Sequence, residues 1–274
     1  MLATFFLMLR EGLEAALIVG IVCAYLVKIG RRDALAKVAL GVAAAIGLSG
    51  AIGVIVTLTI DELPEVIQAT AEATSAVIAV AVLTWMLFWM RRQGRALKGE
   101  LERGVDLAIS DGGTFALVML AFVSVFREGI ETALFLIPIV SFNGSGIDTL
   151  LGGLAGLAVA IGVGWAIFVG GRRVNLRRFF TATGTILIFV AAGLVAFAIA
   201  EFANAGLYAN GGLAFDLSGV LPEESPIGSV LHGLFGYRSA PTPLELVGYL
   251  AYLIPVLILF VLDRPLLRRR PATA

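Results

Sequence analysis

Charge is scarce in this chain. Asp, Glu, Lys and Arg make up 15% of its 274 residues, against about 25% in ordinary soluble domains. Cysteine and histidine are scarcer still, at one each. With a single cysteine, Cys23, no disulfide forms within the chain, and cysteine usage carries no information about redox compartment. Cys23 reads as a small packing residue. The one histidine, His232, lies outside every long apolar run, so none of those runs supplies an imidazole. What fills the space is apolar: 59% of the residues are hydrophobic, and the mean hydropathy is +0.97.

That composition excludes a soluble domain and indicates a membrane protein. A helix needs about 20 apolar residues to cross a hydrocarbon layer ~30 Å thick. Seven runs qualify, at 2–27, 38–60, 66–90, 114–140, 149–171, 180–203 and 244–262. They leave too little chain for a separate soluble domain. The first run has no basic flank before it and is interrupted by charges, so it reads as a retained span and not as a cleaved signal peptide.

Basic residues set the orientation. Lys28, Arg31, Arg32 and Lys37 follow the first run; Arg91, Arg92, Arg95, Lys98 and Arg103 follow the third. Arg172, Arg173, Arg177 and Arg178 follow the fifth, and Arg264, Arg268, Arg269 and Arg270 the seventh. All fall on one side, which the positive-inside rule makes cytoplasmic, with the N-terminus outside and the C-terminus inside. The outer segments carry Asp61, Glu62, Glu65, Asp148, Asp216, Glu223, Glu224 and Glu245 against Arg238 alone. They read either as ordinary solvated loop charges or as a negative surface that concentrates cations. Trp85, Phe88 and Trp89 close the third run beside Arg91 and Arg92, as an interfacial aromatic belt does.

Three charges interrupt the first run, Arg10, Glu11 and Glu14, and three interrupt the fourth, Arg127, Glu128 and Glu131. The alternating topology sets these copies of R-E-x-x-E on antiparallel helices, so spans 1–3 and 4–6 read as inverted halves, with the seventh outside the repeat. Matching ridges of small residues support the pairing: Gly41, Ala45, Ser49 and Gly53 in the second run, Gly152, Gly156, Ala160 and Gly164 in the fifth. Glu11 and Glu131 each lie about nine residues from the outer end of their run, roughly 14 Å at 1.5 Å per residue and close to the bilayer centre. The expected fold is therefore all-α and polytopic, one transmembrane unit over 1–274. Its parts are 1–110, the inverted 111–206, and an outer loop with a seventh helix over 207–274.

Residues three and four apart share a helix face, so the two glutamates of each motif project together and each arginine reaches the glutamate four residues on. Charges in hydrocarbon cost at least ~2.5–3.5 kcal/mol each and ordinarily serve a function. Two Arg–Glu pairs could simply glue helices, but that leaves one glutamate over in each motif. Four carboxylates and two guanidinium groups carry a formal charge of −2, which a divalent or trivalent cation balances. Carboxylates suit hard cations, and iron in either oxidation state accepts them. Glu72 in the third run and Glu201 at the end of the sixth are candidates for the first ligands an incoming ion meets. His232 reads as a surface residue of the outer segment. A proton-coupled carrier of another metal or a small solute stays open as an alternative. A di-iron oxidoreductase is disfavoured, because such sites draw on Glu-x-x-His pairs.

"REGLE" at 10–14 and "REGIE" at 127–131, in the first and fourth of seven spans, resemble the iron permease family, fungal and bacterial. "AVLTWMLFWMRR" at 81–92 and "GSVLHGLFGYRSAPTPLE" at 228–245 extend the likeness along most of the chain. The resemblance implies uptake of iron across the cytoplasmic membrane, not enzymatic turnover. It makes Glu11, Glu14, Glu128 and Glu131 the iron ligands and Arg10 and Arg127 their partners, with iron as substrate and no resident cofactor. It also implies a separate extracytoplasmic oxidase or iron-binding protein as partner; no nucleic-acid partner is expected.

Overall fold

The computed structural model describes residues 1–93, 97–110, 113–143, 146–170, 176–209 and 211–262. Arg95, Arg172, Arg173, Arg264, Arg268, Arg269 and Arg270, part of the basic set above, lie outside the described residues. Among the described residues the fold is all helical, with no strand. Its helices are α1 (Leu2–Lys28), α2 (Leu35–Asp61), α3 (Glu65–Gln93), α4 (Leu97–Ser110), α5 (Gly113–Asn143), α6 (Gly146–Gly170), α7 (Leu176–Asn204), α8 (Pro226–Phe235) and α9 (Pro243–Leu262). Each long helix coincides with one of the apolar runs to within a few residues. Among the described residues, five stretches are long and apolar enough to cross a membrane: Arg32–Ile60, Glu65–Met90, Thr149–Ala166, Phe179–Asn204 and Pro243–Leu262. The chain is an integral membrane protein. The long helices outside that set, α1 and α5, are the ones whose apolar runs the charged motifs interrupt.

Small residues decide how these helices pair. The main packing partners are α1 with α6, α2 with α5, α3 with α7, and α7 with α9. Along α1 and α6 the contacts advance together: Gly152 lies at Met1, Gly156 at Phe5 and Leu9, Ala160 at Gly12, and Gly164 at Ala16. Both helices therefore run in the same direction. The second pair repeats this register, with Gly41 at Val118 and Phe122, Ser49 at Gly129, and Gly53 at Ala133. A Cβ added at Gly41 would collide with the Val118 carbonyl oxygen, and one at Gly156 with that of Phe5. Glycine is required at both places because backbone meets backbone.

Two apolar cores lie at opposite ends of the α1–α5 pair. One gathers Ala3 and Leu7 of α1, Leu83 and Met86 of α3, Phe135 and Ile139 of α5, Leu187 and Leu194 of α7, and Phe260 of α9. The other gathers Ile18, Val22 and Leu26 of α1, Val38 of α2, and Leu117 and Ala121 of α5. Helix α4 completes this second core with Leu101, Val105 and Ala108, while Arg103 and Asp106 stay exposed. No apolar run covers this stretch in the sequence, where it is marked only by its basic residues. Its apolar residues recur at helical spacing, and Tyr25 Oη donates to both Asp106 oxygens, at 2.7 and 2.9 Å.

The outer segment is also more ordered than a polar loop. Ser225 Oγ caps α8 by accepting from the Gly228 N–H at 3.0 Å, Pro226 occupies the first turn, and Gly236 (φ 66°) ends the helix in the left-handed conformation. That glycine lies directly on Gly193 of α7, and Phe235 packs edge-on against Phe189 with centroids 5.0 Å apart.

Candidate functional site

Helices α1 and α5 bring the two charged motifs together away from water. Arg10, Glu11, Glu14 and Glu128 are all buried. Within α1, Arg10 Nε lies 3.0 Å from Glu14 Oε1, and its Nη1 lies 3.7 Å from Glu11 Oε1. Within α5, Arg127 Nε donates to Glu131 Oε1 at 2.9 Å and stands 4.0 Å from Glu128 Oε1. Each arginine thus holds the glutamate one turn on, as the i,i+4 spacing requires.

The remaining carboxylates converge. One oxygen each from Glu11, Glu128 and Glu131 lies within 4.8 Å of the other two. Several acceptors in the two motifs have no hydrogen-bond partner: both oxygens of Glu11, Oε1 of Glu14, Oε2 of Glu128 and Oε2 of Glu131. Buried acceptors left in that condition cost free energy unless a donor or a cation occupies them. Glu14 stands beside the trio, held by Arg10 and within electrostatic reach of Glu131 and Arg127. Three glutamates therefore face one point, Glu131 among them while it also holds Arg127, and Glu14 lies to the side against Arg10.

The outer acids form a separate neighbourhood. Glu72 is buried and accepts from Gln68 Nε2 at 2.9 Å; Glu201 is half-buried and accepts from Asn204 Nδ2 at 3.3 Å. Glu201 lies within electrostatic reach of Glu72 and of Arg238. Glu72 is about 27 Å along α3 from Met90, which touches Arg10. The central cluster does not include them.

His232 is not simply a solvated loop residue. It belongs to α8, and its side chain is only 17% exposed. Its Nδ1 lies 2.8 Å from the Tyr237 carbonyl oxygen and 3.7 Å from Glu223 Oε2. Glu223 also accepts from the Ser239 N–H at 2.7 Å. Glu245, buried, pairs with Arg238 at 3.1 Å, and Asp216 accepts from Ser218, whose hydrogen bonds hold its carboxyl below the usual carboxylate range. These outer acids secure the loop, which reduces the free negative surface the composition alone offered.

The aromatic belt divides likewise. Trp85 is exposed, but Phe88 packs against Phe260, and the ring of Trp89 lies 5.1 Å from Arg127 Cζ. Met90 Sδ accepts from Arg10 Nη2 at 2.8 Å. That α3 touches both motifs carried no signal in the sequence, because Trp89 and Met90 sit among other apolar residues beside a basic flank.

Fold and site together define an integral membrane protein with a carboxylate-rich centre buried between two of its helices. The chain belongs to the iron permease FTR1 family, which matches residues 1–267. It is 43% identical over 265 residues to the ferrous iron permease EfeU of Escherichia coli O6:K15:H31 (strain 536), covering 96% of both chains. It is also 43% identical to the Yersinia pestis protein of the same name, covering 96% of this chain and 94% of that one. No solved structure matches it.

Proposed function

We propose that this protein is a permease that takes iron up across the cytoplasmic membrane, and that Glu11, Glu128 and Glu131 bind the ion in transit. The observation that carries the reading is the convergence of three carboxylates, within 4.8 Å, with several of their oxygens lacking any donor. A hard cation supplies what those oxygens lack. Glu14 completes the charge, so four glutamates against Arg10 and Arg127 leave a formal −2 for the ion to balance. The arginines hold Glu14 and Glu131 in one plane and offset the repulsion among the carboxylates. Glu72 and Glu201, on the outer parts of α3 and α7, receive the ion first.

The architecture we infer is seven spans, with α1–α3 and α5–α7 as inverted halves and α9 as the seventh. The matched registers of α1 on α6 and of α2 on α5 support it, as do the two motifs. The basic residues put the N-terminus outside and the C-terminus in the cytoplasm. A separate extracytoplasmic oxidase or iron-binding protein then delivers iron at the outer face. A di-iron oxidoreductase is disfavoured because His232, the single histidine, lies in α8 beside Tyr237 and is not among the glutamates.

Purified protein in liposomes tests the reading. Ferrous or ferric iron should accumulate with wild type, and Glu128→Gln should lower the rate at least about tenfold, since the amide keeps the shape and loses the charge. Undiminished uptake by Glu128→Gln overturns the site; metal-independent movement of another solute favours a proton-coupled carrier. In intact cells, a protease-accessible tag after Ala274 would reverse the orientation.

A further inference from the structure

The helix α3 belongs to neither motif, yet two adjacent residues at its end touch both. Met90 Sδ takes Arg10 Nη2 at 2.8 Å, and the Trp89 ring lies 5.1 Å from Arg127 Cζ. We propose that Trp89 and Met90 are positioning residues that draw the two guanidinium groups away from the glutamates and so leave the carboxylate oxygens to the ion. The proposal rests on the iron site described above.

A guanidinium carries five N–H groups in a fixed plane. Arg10 places Nε toward Glu14 and Nη2 on Met90, and its Nη1 has no hydrogen-bond partner although Glu11 lies 3.7 Å away. Both Glu11 oxygens also lack a partner. Without Met90 the freed N–H groups have the unsatisfied carboxylate oxygens of Glu14 and Glu11 beside them, at 3.0 and 3.7 Å from the guanidinium, to turn to. Arg127 repeats the situation, with Nε on Glu131 and the Oε2 atoms of Glu128 and Glu131 unsatisfied. An arginine that fills these lone pairs competes directly with a cation for them.

The two tethers suit that task. A thioether is a weak acceptor and an indole face attracts a cation without offering a lone pair. Each restrains a guanidinium without neutralising it. Trp85 stacks on Trp89 at 5.9 Å and an interplanar angle of 22°, which fixes the ring. Successive helical positions point about 100° apart, so one helix end serves α1 with one residue and α5 with the next.

Losing a tether should weaken apparent ion affinity and leave turnover alone. The initial rate of ferrous iron uptake into liposomes, measured against iron concentration, should give a KM raised about two- to thirtyfold in Met90→Leu and in Trp89→Leu, the range a cation–π contact spans. The maximal rate should stay within about twofold. Trp89→Phe, which keeps an aromatic face, should recover most of the loss. Met90→Leu is nearly isosteric, so it decides the matter if Trp89→Leu fails to fold. Wild-type KM values in Met90→Leu overturn the proposal, and so does a lower maximal rate at unchanged KM that Trp89→Phe does not repair. Glu128→Gln measured alongside separates the two readings. Uptake that survives Glu128→Gln removes the site itself, whereas uptake lost there with normal KM in the α3 variants removes only the tether.

Discussion

Arg10 and Arg127 occupy corresponding positions in corresponding motifs, but their surroundings differ. The Arg10 side chain is 2% exposed and that of Arg127 is 45% exposed. Removing one partner of a buried ion pair strands the other charge at a cost of about 3–5 kcal/mol, and of the two arginines only Arg10 is fully enclosed by the protein. Arg10→Ala should therefore lower the melting temperature of the detergent-solubilised protein clearly more than Arg127→Ala, with uptake reduced in both. Equal melting temperatures would mean that the different enclosure of the two arginines carries no weight in stability. Arg10→Lys should recover only part of the loss, because an ammonium lacks the planar fork that spans Glu14 and Met90 together.

At the scale of the helices, the glycines divide into those pressed on backbone and those with open surroundings. Gly41 and Gly156 meet carbonyl oxygens of α5 and α1, whereas Gly50 and Gly162 have nothing within 4 Å of an added Cβ. Gly41→Ala and Gly156→Ala should each cost about 1–3 kcal/mol by forcing helices apart. Gly50→Ala and Gly162→Ala should be neutral or slightly stabilising, given the helix propensity gained. Thermal unfolding of the four variants checks this, and a uniform response would deny the close approach. The same contrast shows what the sequence made legible. Helix positions followed from hydropathy, and the ridges around Gly41 and Gly156 from their four-residue spacing, because both are local patterns. Helix α4 was hidden by its charges: Leu101, Val105 and Ala108 are too few to register beside Glu100, Glu102, Arg103 and Asp106. The clustering of Glu11, Glu128 and Glu131 was legible because spacing and depth placed two motifs at one level. The pairing of each arginine with the glutamate one turn on was legible too, from the i,i+4 spacing, whereas the arrival of Trp89 and Met90 was not, since it depends on which helix packs behind which.

Over the whole molecule, the registers divide the centre into two blades, α1 with α6 and α2 with α5, each locked by small residues along its length. The arginine–glutamate pairs lie inside a blade, from 10 to 14 and from 127 to 131, while the converging carboxylates straddle the seam between blades. A sliding motion of one blade past the other would therefore leave both arginine–glutamate pairs intact and change the distances from Glu11 and Glu14 on one side to Glu128 and Glu131 on the other. Such a motion can loosen an ion without exposing an unpaired charge. A covalent link inside a blade should then be harmless. Gly53 and Ala133 suit one, because a Cβ at Gly53 would lie 3.5 Å from that of Ala133, within the range disulfides adopt. In a Cys23→Ala background, Gly53→Cys with Ala133→Cys should oxidise and still transport; if the bond stops uptake, α2 and α5 must shift against each other and the blade is not the moving part. What looks like a set of contacts for stability is, on this reading, the division between the parts of a machine that stay together and the single joint at which they part.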